Sequence, residues 1–282
     1  FYRRMAVLLA IGFMHLMFIW SGDILMLYAL MGMVLPLFRN VSNRKMLSWA
    51  AFFLLLPVAV DTLTQIFGVS LSAPAVEAQW HYCRKYGITE ENFGYWLRDA
   101  DSYAQVFQFL IQGALVRVQE FVDGNRYFKV LGLFLIGYYI GRQKIYADLS
   151  AHRHLLRRVS VIGFSVGLPL SVVYAWSAVG GHPLGNAAHS LLYAVSVYPL
   201  GFAYMSSLCL LYLRSSRSAV WRALVAPGRM ALTNYICQSI AGMFLFYGIG
   251  FGLGAGVGLS QTEIIALGVF VLQMLLSRLW LH

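Results

Sequence analysis

The sequence predicts an all-α protein, a polytopic bundle of membrane-spanning helices. Of its 282 residues, 60% are hydrophobic and only 11% are charged, and the mean hydropathy is +0.68. An average soluble domain carries roughly 25% charged residues, because a soluble globule needs a charged surface. The apolar residues also fall in long blocks that short basic stretches separate. These observations exclude a soluble enzyme, a disordered chain and a small disulfide-linked scaffold.

Eight segments are predicted to cross the bilayer, since a spanning helix needs about 20 mostly apolar residues. The first, second and fourth of them are short for a span. We expect residues 1–282 to form a single integral membrane domain. Because the chain begins on Phe1 without a Met and ends abruptly on His282, we also expect both ends to be cut from a longer protein. The eight segments are residues 5–20, 24–38, 46–66, 127–141, 157–178, 188–213, 229–250 and 262–281.

The distribution of basic residues predicts the orientation of the chain, because cytoplasmic loops carry an excess of Lys and Arg. If residue 1 is cytoplasmic and every segment crosses once, fourteen of the 21 Lys and Arg residues lie on the cytoplasmic side. Both ends of the chain are then cytoplasmic, and residues 67–126 form a long external loop. This topology accounts for the net charge of +10, so the predicted partner is the lipid bilayer and not a nucleic acid.

The external loop is predicted to carry one amphipathic helix. Such a helix could lie in the membrane interface, plug the mouth of a cavity or pack on the bundle. Its apolar residues recur at helical spacing and are Tyr103, Phe107, Leu110, Ile111, Ala114, Val118, Phe121 and Val122. The opposite, polar face contains Gln105, Gln108, Gln112, Arg117 and Glu120.

Three ionisable residues lie at a similar predicted depth in the outer half of the bilayer. His15 lies inside an apolar segment, Asp23 follows in a short Trp20-Ser-Gly-Asp hairpin, and Asp61 lies near the outer end of the third segment. Ionisable residues in membrane helices are rare and usually face a cavity. His15 is either a satisfied buried histidine or a general base, and a carboxylate from Asp23 or Asp61 would raise its basicity.

A second polar cluster opens the seventh segment. Arg229 precedes Asn234, Tyr235 and Gln238, and the side chains of Asn234 and Gln238 share a helix face because they are four residues apart. These residues either hold helices together or line a polar passage on the cytoplasmic side. The three cysteines, Cys83, Cys209 and Cys237, are too few and too scattered for a metal site, and no metal is predicted.

These clusters and their spacing resemble the YeiB-like family of bacterial inner-membrane proteins, a domain of unknown function. The residues that carry the resemblance are Arg3-Arg4, His15, Trp20-Ser-Gly-Asp23, Tyr28-Ala29, Gly228-Arg229, Asn234-Tyr235, Gln238-Ser239 and Phe246-Tyr247-Gly248. The resemblance implies a multi-pass protein of the bacterial plasma membrane with further helices upstream. That family is similar in turn to transmembrane acyltransferases, which move an acyl group from cytoplasmic acyl-coenzyme A to an acceptor across the bilayer.

The favoured hypothesis is therefore an acyltransferase that transfers an acyl group to an extracytoplasmic acceptor. The catalytic residues would be His15 with Asp23 or Asp61, and acyl-coenzyme A would enter as a substrate, with no tightly bound cofactor. Substrate binding is assigned to Trp20, Arg229, Asn234, Tyr235 and Gln238. The alternative is a transporter or exporter of a small polar metabolite, which the intramembrane polar residues would equally serve.

Overall fold

The computed structural model describes residues 1–281 and, within that range, is built from helices without any strand. Each of the eight predicted segments coincides with a helix, so the all-α prediction is confirmed. A short 3-10 helix, Leu35–Phe38, extends the second α-helix. The α-helices are α1 (Tyr2–Phe18), α2 (Leu25–Val34), α3 (Asn43–Phe67), α4 (Ala73–Tyr86), α5 (Glu90–Phe93), α6 (Trp96–Asp99), α7 (Tyr103–Asp123), α8 (Arg126–Arg142), α9 (Arg153–Val179), α10 (Gly185–Ser215), α11 (Ala219–Arg229), α12 (Ala231–Phe246) and α13 (Leu259–Trp280).

Length and hydropathy identify membrane helices most clearly in four places. Among the described residues, α3, α9, α10 and α13 are long and apolar enough to cross a bilayer. The helix pair Leu25–Phe38 and helix α12 are apolar but shorter. Helices α1 and α8 have only 17 residues each, and both begin with basic side chains. The chain is an integral membrane protein, whereas the predicted count of eight spans is not confirmed.

The chain forms two compact units. The first unit contains residues 1–29, residues 72–120 and the chain from residue 217 onward. In it, Val106 and Leu110 of α7 form a buried cluster with Ala100. The backbone N–H of Gly248, just after α12, donates to the carbonyl of Leu97 at 2.8 Å. An added side chain at Gly248 would collide with the carbonyl oxygens of Arg98 and Ala100, so glycine permits this close approach.

The second unit contains residues 30–71 and 121–216. Met46 and Ala50 of α3 form a buried core with Leu135 of α8. Helices α9 and α10 lie close together because α9 presents small residues: a Cβ atom added at Gly167 would lie 2.8 Å from the Cβ of Leu200. Close packing through small residues is the usual way that membrane helices associate.

The region predicted as one external loop contains four helices, α4 to α7. The predicted amphipathic helix is present as α7, and it packs within the first unit. The prediction that its polar face is solvated is only partly correct, because the side chains of Gln112 and Arg117 are buried. The physical reason for Arg117 is that its guanidinium reaches backbone carbonyls of the α1–α2 turn, which replace water as hydrogen-bond acceptors.

Candidate functional site

The turn between α1 and α2 brings an imidazole and a carboxylate together. Nδ1 of His15, in the last turn of α1, lies 2.9 Å from Oδ2 of Asp23. Both side chains are only 1% exposed. The connection from Phe18 to Leu25 is so short that a residue one turn from the end of α1 must lie near the start of α2. The structure thus pairs His15 with Asp23, which is one of the two partners that the sequence left open.

The Asp23 carboxylate is held at both oxygens. While Oδ2 meets the imidazole, Oδ1 accepts a hydrogen bond of 2.9 Å from the backbone N–H of Met26, in the first turn of α2. An anion near a helix N-terminus is favourable, because the first backbone N–H groups lack partners and carry partial positive charge. Asp23 is therefore fixed in place as an acceptor for the His15 ring.

A glycine on α1 makes room for this arrangement. An added Cβ at Gly12 would lie 2.5 Å from the backbone nitrogen of Met26 and 3.1 Å from Oδ1 of Asp23. Any side chain at position 12 would therefore push α1 away from α2. The close approach of the two helices places His15 within reach of Asp23.

Arg117 of α7 fixes the turn from the other side. Its Nε donates to the Asp23 carbonyl at 2.8 Å, and one terminal nitrogen donates to the carbonyl of Gly22. The second terminal nitrogen pairs with Glu120 at 2.5 Å. Helix α7 comes close enough for these bonds because a Cβ at Gly113 would lie only 2.7 Å from the Cβ of Ser21. The sequence feature that could have indicated that Arg117 positions this turn is a single arginine within a mostly apolar helix.

The second ring nitrogen of His15 is free. Nε2 is buried, and it has no hydrogen-bond partner among the described residues. With a proton on Nδ1 donated to Asp23, Nε2 carries the lone pair and can accept a proton. The tautomer follows from the hydrogen bond, since a carboxylate can only accept.

Two aromatic side chains from the predicted site surround the imidazole. The ring of Tyr235 lies 4.9 Å from that of His15, and the ring of Trp20 meets it edge-on at 6.2 Å. The Tyr235 hydroxyl has Asp23 and the Ile24 backbone as polar neighbours. It is buried without a well-formed hydrogen bond to any described residue. A proton acceptor and a hydroxyl donor thus lie side by side.

Asp61 lies in the second unit and has its own partners. Its Oδ1 accepts a 2.7 Å hydrogen bond from the amide of Asn125, and its Oδ2 accepts a hydrogen bond from the Ser190 hydroxyl. In the same unit, the ammonium of Lys129 lies 3.9 Å from the ring centroid of Tyr193. The catalytic role predicted for Asp61 stays a prediction, and its contacts join α3, α8 and α10.

The two polar residues of α12 differ in their surroundings. The side-chain amide of Asn234 donates to the hydroxyl of Ser277 on α13 at 3.0 Å. The amide of Gln273 returns a 2.9 Å hydrogen bond to the Asn234 carbonyl. Gln238 is exposed. Asn234 therefore joins α12 to α13 by hydrogen bonds, in agreement with the hypothesis that this polar cluster holds helices together.

Arg229, the remaining predicted site residue, is exposed and lines a cavity of about 380 Å³. Two further arginines line the same cavity, Arg222 of α11 and Arg278 of α13. The sequence did not predict this group, because Arg229 and Arg278 are far apart along the chain.

Two bacterial proteins resemble this chain over almost its whole length. One is the "Uncharacterized protein YxaH" of Bacillus subtilis (strain 168), which is 28% identical over 99% of this chain and 67% of its own length. The other is the "Uncharacterized protein YeiB" of Escherichia coli (strain K12), which is 23% identical over 99% of this chain and 70% of its own length. No solved structure matches the chain.

The resemblance to YeiB-like proteins seen in the motifs is confirmed by these relatives and by a family model. The model is described as "Protein of unknown function (DUF418)" and matches residues 140–282, just over half of the chain. The matched part includes Asn234, Tyr235 and Gln238, three of the residues that carried the resemblance. The chain is therefore an integral membrane protein that belongs to the DUF418 family.

Proposed function

We propose that this membrane protein transfers an acyl group from a thioester to a hydroxyl-bearing acceptor, with His15 as the general base. One observation carries the proposal: His15 is hydrogen-bonded through Nδ1 to the buried Asp23, while its buried Nε2 is free of any partner among the described residues. This is the arrangement in which a carboxylate fixes the tautomer of a histidine and leaves the other nitrogen to accept a proton.

The reaction balances with the groups present. Nε2 of His15 would take the proton of the acceptor hydroxyl as its oxygen attacks the thioester carbonyl carbon. The carbon–sulfur bond then breaks, the ester forms, and the departing thiolate takes the proton back from the imidazolium. Asp23 would stabilise the imidazolium between these two steps, since an anion beside a cation lowers its energy.

Neighbouring residues have distinct roles in this proposal. Tyr235, whose ring contacts that of His15, would donate its hydroxyl hydrogen to the oxygen that becomes negative in the tetrahedral intermediate. Trp20, whose ring lies edge-on to that of His15, would shield one side of the imidazole. Arg117 is a positioning residue, because it binds the carbonyls of Gly22 and Asp23 rather than either reacting group.

The donor in this proposal is an acyl-coenzyme A that enters from the cytoplasmic side. The sequence motifs imply a similarity to transmembrane acyltransferases, and this implied similarity supports that donor, together with the predicted charge asymmetry of the loops. Arg229 lies at the predicted inner edge of the membrane and would face the incoming phosphates. Charge-assisted hydrogen bonds from arginine to phosphate are strong and frequently bidentate.

The test uses membranes that contain the full-length protein and acyl-coenzyme A labelled in the acyl group. The wild type should move label into a hydroxyl-bearing membrane or external acceptor. His15→Gln should reduce the rate by about 100-fold or more, since general-base catalysis contributes roughly 10²–10⁴. His154→Gln, an exposed histidine outside this site, is the matched control.

Unchanged label transfer in His15→Gln would disprove the role of this residue. If the wild type transferred no label but moved a small polar solute across the membrane, the transporter hypothesis would replace the present one. Thermal unfolding of the purified variants in detergent shows whether a loss of activity is only a loss of folding.

A further inference from the structure

Three arginines converge on one cavity in the first unit. Arg222 and Arg229 come from α11, and Arg278 comes from α13. The cavity has a volume of about 380 Å³, and its remaining lining is apolar, from Ala219, Ala223, Val225, Ala226 and Leu281. No Asp or Glu of the described residues lines it. Three like charges around one cavity repel one another unless an anion lies between them.

Among the described residues, no carboxylate forms an ion pair with any of the three guanidinium groups. The ion pairs in the described part of the chain include His15 with Asp23, Arg98 with Asp99, and Arg117 with Glu120. None of these pairs includes an arginine of the cavity. Arg222, Arg229 and Arg278 are all exposed, so their side chains are accessible to a ligand.

Helix dipoles explain two of these arginines but not the third. Arg229 and Arg278 lie in the last turns of their helices, where a cation is favoured by the negative end of the dipole. Arg222 lies four residues after the N-cap Ser218, near the start of α11. Arg222 is the fourth residue of α11, beyond the first turn in which the helix dipole acts, so the dipole does not account for its place beside the other two arginines.

Helix α11 also has the character of a helix that lies along a membrane surface. Its exposed residues include the large apolar side chains of Val220, Leu224 and Val225 together with the basic Arg222 and Arg229. Helices with one apolar and one basic face lie in the interface plane, where they meet lipid phosphates and soluble anions. An interfacial α11 would place the cavity at the depth where phosphate groups occur.

We propose that the arginine cavity between α11 and α13 binds a phosphate group. Its volume falls in the range of small-ligand pockets, roughly 300–1,000 Å³, which exceeds what inorganic phosphate alone would fill. Guanidinium groups suit phosphate because they offer paired N–H donors in a plane. The phosphate belongs either to an anionic lipid headgroup or to a soluble phosphorylated compound such as coenzyme A. The coenzyme A alternative rests on the donor proposed above, whereas the lipid alternative does not, and neither depends on proton transfer by His15.

The experiment measures ligand binding by the full-length protein in two preparations, lipid nanodiscs and detergent. In one arm, labelled coenzyme A is titrated into nanodiscs of phosphatidylcholine. In the other arm, retention of phosphatidylglycerol by the detergent-purified protein is measured by native mass spectrometry. Arg222→Gln and Arg278→Gln are compared with Arg217→Gln, which removes the same charge from an exposed position outside the cavity.

Either cavity variant should weaken binding of at least one probe by about tenfold, as expected for the loss of a charge-assisted hydrogen bond. Weakening confined to coenzyme A assigns a soluble ligand, and weakening confined to phosphatidylglycerol assigns a lipid. If both cavity variants bound both probes as well as Arg217→Gln does, the proposal would be overturned. Neither probe carries an acyl group to transfer, so this result is separate from any failure of the proposed acyl transfer.

Discussion

Nδ1 of His15 and Oδ2 of Asp23 lie 2.9 Å apart, and both side chains are almost completely buried. Burying a polar pair is costly unless each group keeps its hydrogen bonds. Asp23 recovers that cost through Met26 and His15. His15 does so only in part, because Nε2 has no partner within the described residues. In the proposed reaction, this nitrogen accepts the proton of the acceptor hydroxyl, as a neutral imidazole nitrogen can.

Gly12→Ala should destabilise the first unit by about 1–3 kcal/mol, the usual cost of overpacking. The added methyl group would lie 2.5 Å from the Met26 nitrogen, so α1 must move and the His15–Asp23 hydrogen bond must lengthen. Thermal unfolding in detergent measures the change. Gly242→Ala is the control, because a Cβ added there meets nothing within 4 Å. Equal melting temperatures for the two variants would contradict the close approach of α1 and α2.

Arg117→Gln should destabilise the α1–α2 turn, since it leaves the carbonyls of Gly22 and Asp23 without their donor. A hydrogen bond to a charged group contributes about 1.5–3 kcal/mol. The sensitive measurement is hydrogen exchange of the backbone amides of residues 20–26, which should accelerate. Arg98→Gln removes a partly exposed arginine whose contacts are with Asp99 and the Tyr95 ring, and it should leave exchange in this turn unchanged.

The sequence predicted those contacts of the site that form between residues close together along the chain. His15 and Asp23 are eight residues apart on either side of a short hairpin, so few chain paths could separate them. Arg117 and Tyr235 reach the same turn from distant helices. Arg117 is 94 residues from Asp23 along the chain, and no periodicity within α7 shows which neighbour a buried arginine will meet.

The dependence on contacts between distant parts of the chain also explains where the predicted and observed helices differ. The apolar segments predicted the eight helices because hydrophobic length is a local property. Helices α4, α5 and α6 contain no long apolar block, so hydropathy does not reveal them. The buried cluster of Cys83, Ile88 and Phe109 shows that packing contributes to this region. The arginine cavity joins α11 to α13, so only the folded chain brings its three cations together.

Asp61→Leu should destabilise the second unit by about 1–3 kcal/mol, because it leaves the buried Asn125 amide without its acceptor. Asp61→Asn should retain most of the stability. Its amide oxygen can accept from Asn125, and its amino group can donate to the Ser190 hydroxyl oxygen. Lys129 loses a neighbouring carboxylate in both variants, so the difference between them isolates the hydrogen bonds. Melting temperatures in detergent measure that difference.

The outcome for activity decides what Asp61 does in the proposed reaction. If Asp61→Asn folds normally and transfers acyl groups at the wild-type rate, then its contacts with Asn125 and Ser190 are structural. A folded Asp61→Asn variant with lost transfer would instead show that the negative charge itself is needed.

The predicted orientation can be tested at the two ends of α10, which is long and apolar enough to cross the membrane. Leu184 immediately precedes this helix and Ser216 immediately follows it. After Cys83, Cys209 and Cys237 are replaced by Ser, a membrane-impermeant maleimide added to intact cells should label Leu184→Cys but not Ser216→Cys. Lysed membranes provide the control, since both thiols should react there. Labelling of Ser216→Cys alone in intact cells would reverse the topology.

Asn234 and Gln238 share a face of α12, yet the structure predicts opposite results for them. Asn234→Leu loses the hydrogen bond to Ser277 on α13, so it should lower the stability by about 0.6–2 kcal/mol, as for other polar contacts between membrane helices. Gln238 is exposed, so Gln238→Leu should melt at the wild-type temperature. Coenzyme A binding, measured on both variants, then separates a structural role from a ligand-binding one. Weaker binding by a fully stable Gln238→Leu would show that this glutamine contacts the ligand. Unchanged binding would show that Gln238 is not part of the proposed inner entrance, of which Arg229 would then be the remaining predicted residue.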